Sequence, residues 1–85
     1  MRIWAKVTRK DKVKRDMIYS TDMPLNEDNF QAWLYEICDK LDIPTPVLLP
    51  NHFLNFVRFH NCRFYEGDFV ESFSYDRFIL EDCKD

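Results

Sequence analysis

The sequence predicts an α+β domain in which a three-stranded antiparallel sheet, made of an N-terminal hairpin and a C-terminal strand, packs on one main amphipathic helix. A short second helix or helical turn completes the order β-β-α-(α)-β. Three observations carry this. Residues 2–20 alternate apolar and polar side chains on either side of a polar tetrapeptide, Asn26 to Asp42 spaces its apolar residues at helical intervals, and Tyr75 to Glu81 is dense in aromatic and branched side chains. A chain of 85 residues suits one domain and is too short for two, so residues 1–85 are read as a single compact unit.

The hairpin strands are RIWAKVT (Arg2 to Thr8) and VKRDMIYS (Val13 to Ser20), joined through the polar RKDK segment. Setting Ile3 opposite Met17 and Val7 opposite Val13 places Ile3, Ala5, Val7, Val13, Met17 and Tyr19 on one face, with Arg15 as the exception. The other face then carries Arg2, Trp4, Lys6, Thr8, Lys14, Asp16 and Ile18, with Trp4 and Ile18 as diagonal neighbours among charges. The connecting segment has no Asn-Gly or Asp-Gly pair to fix the register. STDMP, Ser20 to Pro24, turns the chain toward the helix.

In NEDNFQAWLYEICDKLD the apolar stripe is Phe30, Trp33, Leu34, Ile37, Cys38 and Leu41, and the opposite side carries Glu27, Asp28, Gln31, Glu36, Asp39 and Lys40. Asn26 is the expected N-cap, and Glu27 and Asp28 lie where the helix dipole favours anions. Leu25 and Phe30 occupy the positions of a hydrophobic staple, and Pro44 supplies the stop.

Three prolines in IPTPVLLP (Ile43 to Pro50) keep that stretch extended, with Val47, Leu48 and Leu49 available to cover the core edge. NHFLNFVRF (Asn51 to Phe59) fits both a helical face and an alternating strand, and a short helix capped by Asn51 is the reading adopted. His60 to Ser74 keeps neither period, so it reads as irregular, with one turn near Glu66 to Phe69 and aromatic pegs holding it to the core. Tyr75 to Glu81 is the third strand, added to the hairpin.

Composition narrows the chemistry. Gly67 is the only glycine, which excludes a glycine-rich phosphate loop. No apolar run approaches the roughly 18 residues that span a bilayer, and charges fill the first fifteen positions where a signal peptide has its apolar core, so a cytoplasmic protein is expected. The three cysteines, odd in number and widely spaced, fit reduced thiols.

Cys38, His52, His60, Cys62 and Cys83 are the residue types that bind metals, but paired CxxC or HxxxH knuckles are absent. Buried thiols and a capping or surface histidine explain them more simply. No nucleophile stands beside a base and an orienting group, and Asp68 and Glu71 read as surface or turn residues. An enzyme is therefore not the expected class, and no catalytic, cofactor-binding or metal-binding residue is assigned.

Charge is unevenly placed: Met1 to Asp16 carries seven basic and two acidic residues, and the remainder five basic and thirteen acidic. The basic hairpin offers Lys6, Arg9, Lys10, Lys12, Lys14 and Arg15 to phosphates, with Trp4 as a stacking surface. Against nucleic acid stand the net charge of −3 and the interruptions at Asp11 and Asp16. Charged edges also keep strands from pairing with other chains. Trp4 and Ile18 point instead to a protein partner or a second copy of the chain, since exposed apolar patches mark such contacts. The simpler alternative has the second helix or the aromatic loop folding over them.

The early tryptophan strand, the segment EICDKLDIPTPVLL and the segment NHFLNFVRFHNCRFYEGDFVESFSYDRFILE resemble a family of small uncharacterised bacterial proteins over roughly residues 3 to 81. That resemblance implies a small α+β domain and no activity, ligand or site residue. The sequence-level expectation is thus a non-enzymatic, cytoplasmic protein-interaction module, self-association included, with nucleic-acid binding by the hairpin second and a small enzyme or metal protein third.

Overall fold

A computed structural model describes residues 1–83. The elements run β1 (Arg2–Arg9), β2 (Lys12–Ser20), α1 (Glu27–Leu41), α2 (Pro50–Phe59), β3 (Asn61–Tyr65), one 3-10 turn (Glu66–Asp68) and β4 (Arg77–Asp82). They form an α+β fold with a four-stranded antiparallel sheet in the order β2-β1-β4-β3.

The expected sheet was one strand short, because Asn61–Tyr65 is a strand and not irregular chain. The last strand starts at Arg77 rather than Tyr75 and lies inside the sheet, paired with β1 on one side and β3 on the other. That interior position explains why Phe78, Ile79 and Leu80 form an unbroken buried run.

The hairpin register also differs. Ile3 faces Tyr19 and Val7 faces Arg15, an offset of two residues that preserves which side chains share a face. Val13 is the casualty: the register shifts between Val7 and Thr8, Val13 pairs with Thr8, and it is exposed. Trp4 and Ile18 become direct partners instead of diagonal ones.

Arg9 pairs with Lys12, which leaves a two-residue turn with positive φ at Lys10 (54°) and Asp11 (63°). Both central residues are thus left-handed, as in a type I′ turn, where Asn-Gly is the favoured pair. Replacing Lys10 and Asp11 by Asn and Gly should stabilise the fold by about 1 kcal/mol and raise Tm by about 4–8 °C. A thermal melt showing no gain would reject this account of the turn.

The α1 stripe behaves as its spacing predicts: Phe30, Trp33, Leu34, Ile37, Cys38 and Leu41 are all buried. Asn29 N–H donates to the Asn26 side chain at 2.8 Å, confirming the N-cap. The stop comes before Pro44, at Asp42 in the left-handed conformation. There Asp42 N–H donates to Asp39 O and Ile43 N–H donates to Cys38 O, the paired bonds of a Schellman ending.

The helix stripe packs on one face of the sheet, against Ile3, Ala5, Val7, Cys62, Phe64, Phe78 and Leu80, in one contiguous core. Arg15, the misfit on that face, lies at its edge and donates to Leu41 O at 2.9 Å. A cation there satisfies a helix-terminal carbonyl and favours the dipole. Phe69 and Phe73, stacked at 4.0 Å, hold the loop to the core as expected, and Tyr75, outside the strand, adds a further contact with Arg9 lying 4.9 Å from its ring.

Candidate interaction surfaces

The alternation that sends Ile3, Ala5 and Val7 into the core sends Trp4 and Lys6 to the other side of the sheet. There they are joined by Asp16, Ile18, Arg63, Tyr65, Ile79 and Glu81. The buried rings of the second helix and the aromatic loop, Phe56, Phe69 and Phe73, belong instead to the core with Ile3, Ala5 and Val7, on the face opposite Trp4. Its indole N–H donates to Asp16 Oδ2 at 2.9 Å, and Lys6 Nζ lies 3.7 Å from the ring centroid while also reaching Glu81 Oε1 at 3.0 Å. Trp4 is therefore half-buried under polar neighbours, whereas its partner Ile18 is 53% exposed.

This local network fixes the rotamer of a large aromatic in the middle of an open face. The Lys6–Glu81 ion pair is part-buried, with the lysine covered and the carboxylate still open to solvent, and its main effect here is positional. Ile79, between Lys6 and Arg63 in the ladder, is 8% exposed and supplies a covered apolar centre.

The hairpin cations do not converge. Besides the Lys6 and Arg15 contacts already described, Arg9 donates to Ser74 O at 2.8 Å, and the Lys10 amide donates to Asp76 Oδ2 at 2.7 Å. Lys12 and Lys14 project from the β2 edge and are exposed. Of the six proposed phosphate contacts, three have side chains engaged within the fold, and Asp11 and Asp76 add negative charge at the hairpin end.

The metal-type residues are also dispersed. Among the described residues, no three of His, Cys, Asp and Glu are grouped as a metal site. Cys38 and Cys62 lie in the core, and burial pushes both thiols up to about 12, with Thr45 hydrogen bonding partly opposing this at Cys38. Cys83 is partly exposed.

His52 is the capping histidine. The second helix starts at Leu49 as N-cap rather than Asn51, and the Leu49 amide donates to His52 Nδ1 at 3.0 Å. Asp68 does the equivalent at the 3-10 turn, accepting the Tyr65 amide at 2.8 Å, and its Oδ2 lies 3.6 Å from His52 Nε2. Two reach-back caps therefore face each other, and the Val47 amide donating to Asp68 O at 2.8 Å ties the proline-rich connector to them. This group orders the start of α2, the 3-10 turn and the connector between α1 and α2.

A second surface was not visible in the sequence. Between the α2 flank and the outer edge of β3 runs a groove of about 390 Å³ lined by Asn55, Phe59, Asn61, Cys62, Arg63 and Tyr65. Phe59 is 64% exposed and Tyr65 50% exposed. The sequence signal was Cys62-Arg63-Phe64-Tyr65, alternating about the ladder, but only the sheet order makes β3 an edge.

Among the described residues, no helix is long and apolar enough to cross a membrane. Comparison with models of known protein families, with curated proteins and with solved structures gives no match. No family is assigned to the chain, and function has to be read from its own geometry.

Proposed function

We propose that this protein is a non-enzymatic, cytoplasmic protein-interaction module that self-associates through the open face of its sheet. The supporting observation is the direct Trp4–Ile18 pair on a face that neither helix covers. A tryptophan held in one rotamer loses little entropy on docking, and a neighbouring exposed isoleucine extends the apolar contact. The surrounding charges are of both signs, Lys6, Arg63 and Arg77 against Asp16 and Glu81, so two copies related by a two-fold axis can match them.

Sedimentation equilibrium over a wide concentration range tests this. The wild type is expected to form a reversible dimer. Ile18→Asp, which buries a carboxylate in the contact, is expected to weaken dimerisation by about tenfold or more without lowering the Tm read at concentrations too low for the dimer to form. A wild type that stays monomeric at the highest attainable concentration would exclude self-association.

A further inference from the structure

The two edges of the sheet are built differently. The β2 edge carries Lys12, Lys14 and a register irregularity, devices that discourage strand pairing. The β3 edge has no lysine, proline or bulge, and α2 stands beside it as a wall.

On β3, His60 O accepts the Asp82 amide at 2.8 Å, so the backbone groups of His60, Cys62 and Phe64 are the ones aimed at β4. The alternate residues Asn61 and Arg63 accordingly direct their N–H and C=O groups away from the sheet. At Tyr65 the amide is already taken by Asp68, which closes one end of this open stretch. Beside it lie the groove and the exposed rings of Phe59 and Tyr65.

We propose that the β3 edge binds an extended acidic segment of a partner protein, which adds to the sheet as a fifth strand and places an apolar side chain in the groove against Phe59. Main-chain hydrogen bonds to Asn61 and Arg63 supply the pairing, and the groove supplies side-chain selection, as in other strand-addition complexes.

Charge selects the occupant. Arg63, which lines the groove, has no carboxylate partner among the described residues, although the chain as a whole carries −3. Arg63 is also the midpoint of β3, so an aligned antiparallel pairing of two copies would set Arg63 against Arg63. Like charges directly opposite destabilise a ladder and unlike charges stabilise it, which disfavours a second copy here and favours an acidic strand. This surface shares Arg63 and Tyr65 with the outer face of the sheet, but its strand edge lies across β4 from the Trp4–Ile18 pair, and strand addition there does not depend on self-association.

The test uses a short fluorescent peptide alternating glutamate with valine and threonine, a lysine-for-glutamate counterpart, and a version with alternate backbone amides methylated. The full chain should bind the glutamate peptide at least about tenfold more tightly than the lysine peptide. Arg63→Glu should reverse that order, and backbone methylation should abolish binding. Amide exchange should slow at Asn61 and Arg63, and Ile18→Asp should bind as the wild type does. Phe59→Ser provides a second variant, expected to weaken the glutamate peptide with Tm unchanged. Equal affinity for both peptides, no binding at millimolar concentration, retained binding after methylation, or amide changes confined to the Trp4 face would each overturn the proposal.

Discussion

Phe30→Ala is expected to lower the unfolding free energy by roughly 3 to 5 kcal/mol, read as a shift of the urea midpoint. Phe30 is 1% exposed and joins three aromatic partners, with ring centroids 4.9 Å from Phe56, 5.6 Å from Phe53 and 6.3 Å from Trp33. It is thus the residue through which α1 grips α2. Deleting the ring removes its transfer energy and leaves a cavity that three rigid neighbours cannot close. Against a typical total of about 5–15 kcal/mol for a small domain, such a loss brings the fold near its limit. Leu34→Ala, on the same stripe, should cost roughly 2 to 5 kcal/mol. Near-wild-type midpoints for both would refute the central place of α1.

Alkaline pH should act on the same core by a different route. Burial raises the Cys38 and Cys62 thiols from 9.0 to about 12, and Tyr19 rises from 10.0 to about 12 through burial, its hydrogen bond to Glu36 and the Glu36 charge. Each of these groups holds its proton more tightly folded than unfolded. Their contribution is fully present below the unfolded values and is lost as pH climbs through about 9 to 12. For a thiol moved from 9.0 to about 12, the limit is roughly 4 kcal/mol, reached only at the top of that window. Urea midpoints measured from about pH 8 to pH 11 should therefore fall steadily, and the Cys38→Ala, Cys62→Ala double variant should flatten the slope. A midpoint independent of pH across that window would show that the thiols are not sealed from solvent.

Much of α1 was legible because its signals are local. The six-residue stripe, the Asn26 cap and the acidic first turn lie within one continuous segment, and each reports the same helix. Asn51 to Phe59 is helical, as its apolar face suggests, and the helix starts one residue earlier at Pro50, whose missing amide suits a first helical position. Between Ile3 and Val7 the face assignment in the hairpin is right despite an incorrect register because the offset is even, and it fails at Val13, beyond the register shift.

β3 escaped because five residues of alternation, Asn61 to Tyr65, were diluted in a longer window whose remaining aromatics belong to the loop. The open face of Trp4 and Ile18 was legible as a candidate surface, since parity alone separates it from Ile3, Ala5 and Val7. Whether anything covered it was not, because coverage depends on where distant elements dock.

The sequence by itself determined the α+β class, the main helix with its buried stripe, and the two faces of the hairpin, all of which follow from periodicity and capping along neighbouring residues. Tertiary structure decided that β4 lies inside the sheet, that β3 is left as an edge beside α2, and that Trp4 is clamped by Lys6 and Asp16. The pairing of β4 with β1 joins residues far apart in the chain, the Trp4 clamp depends on the hairpin register, and strand order is set by the packing of the whole core, which no local spacing encodes.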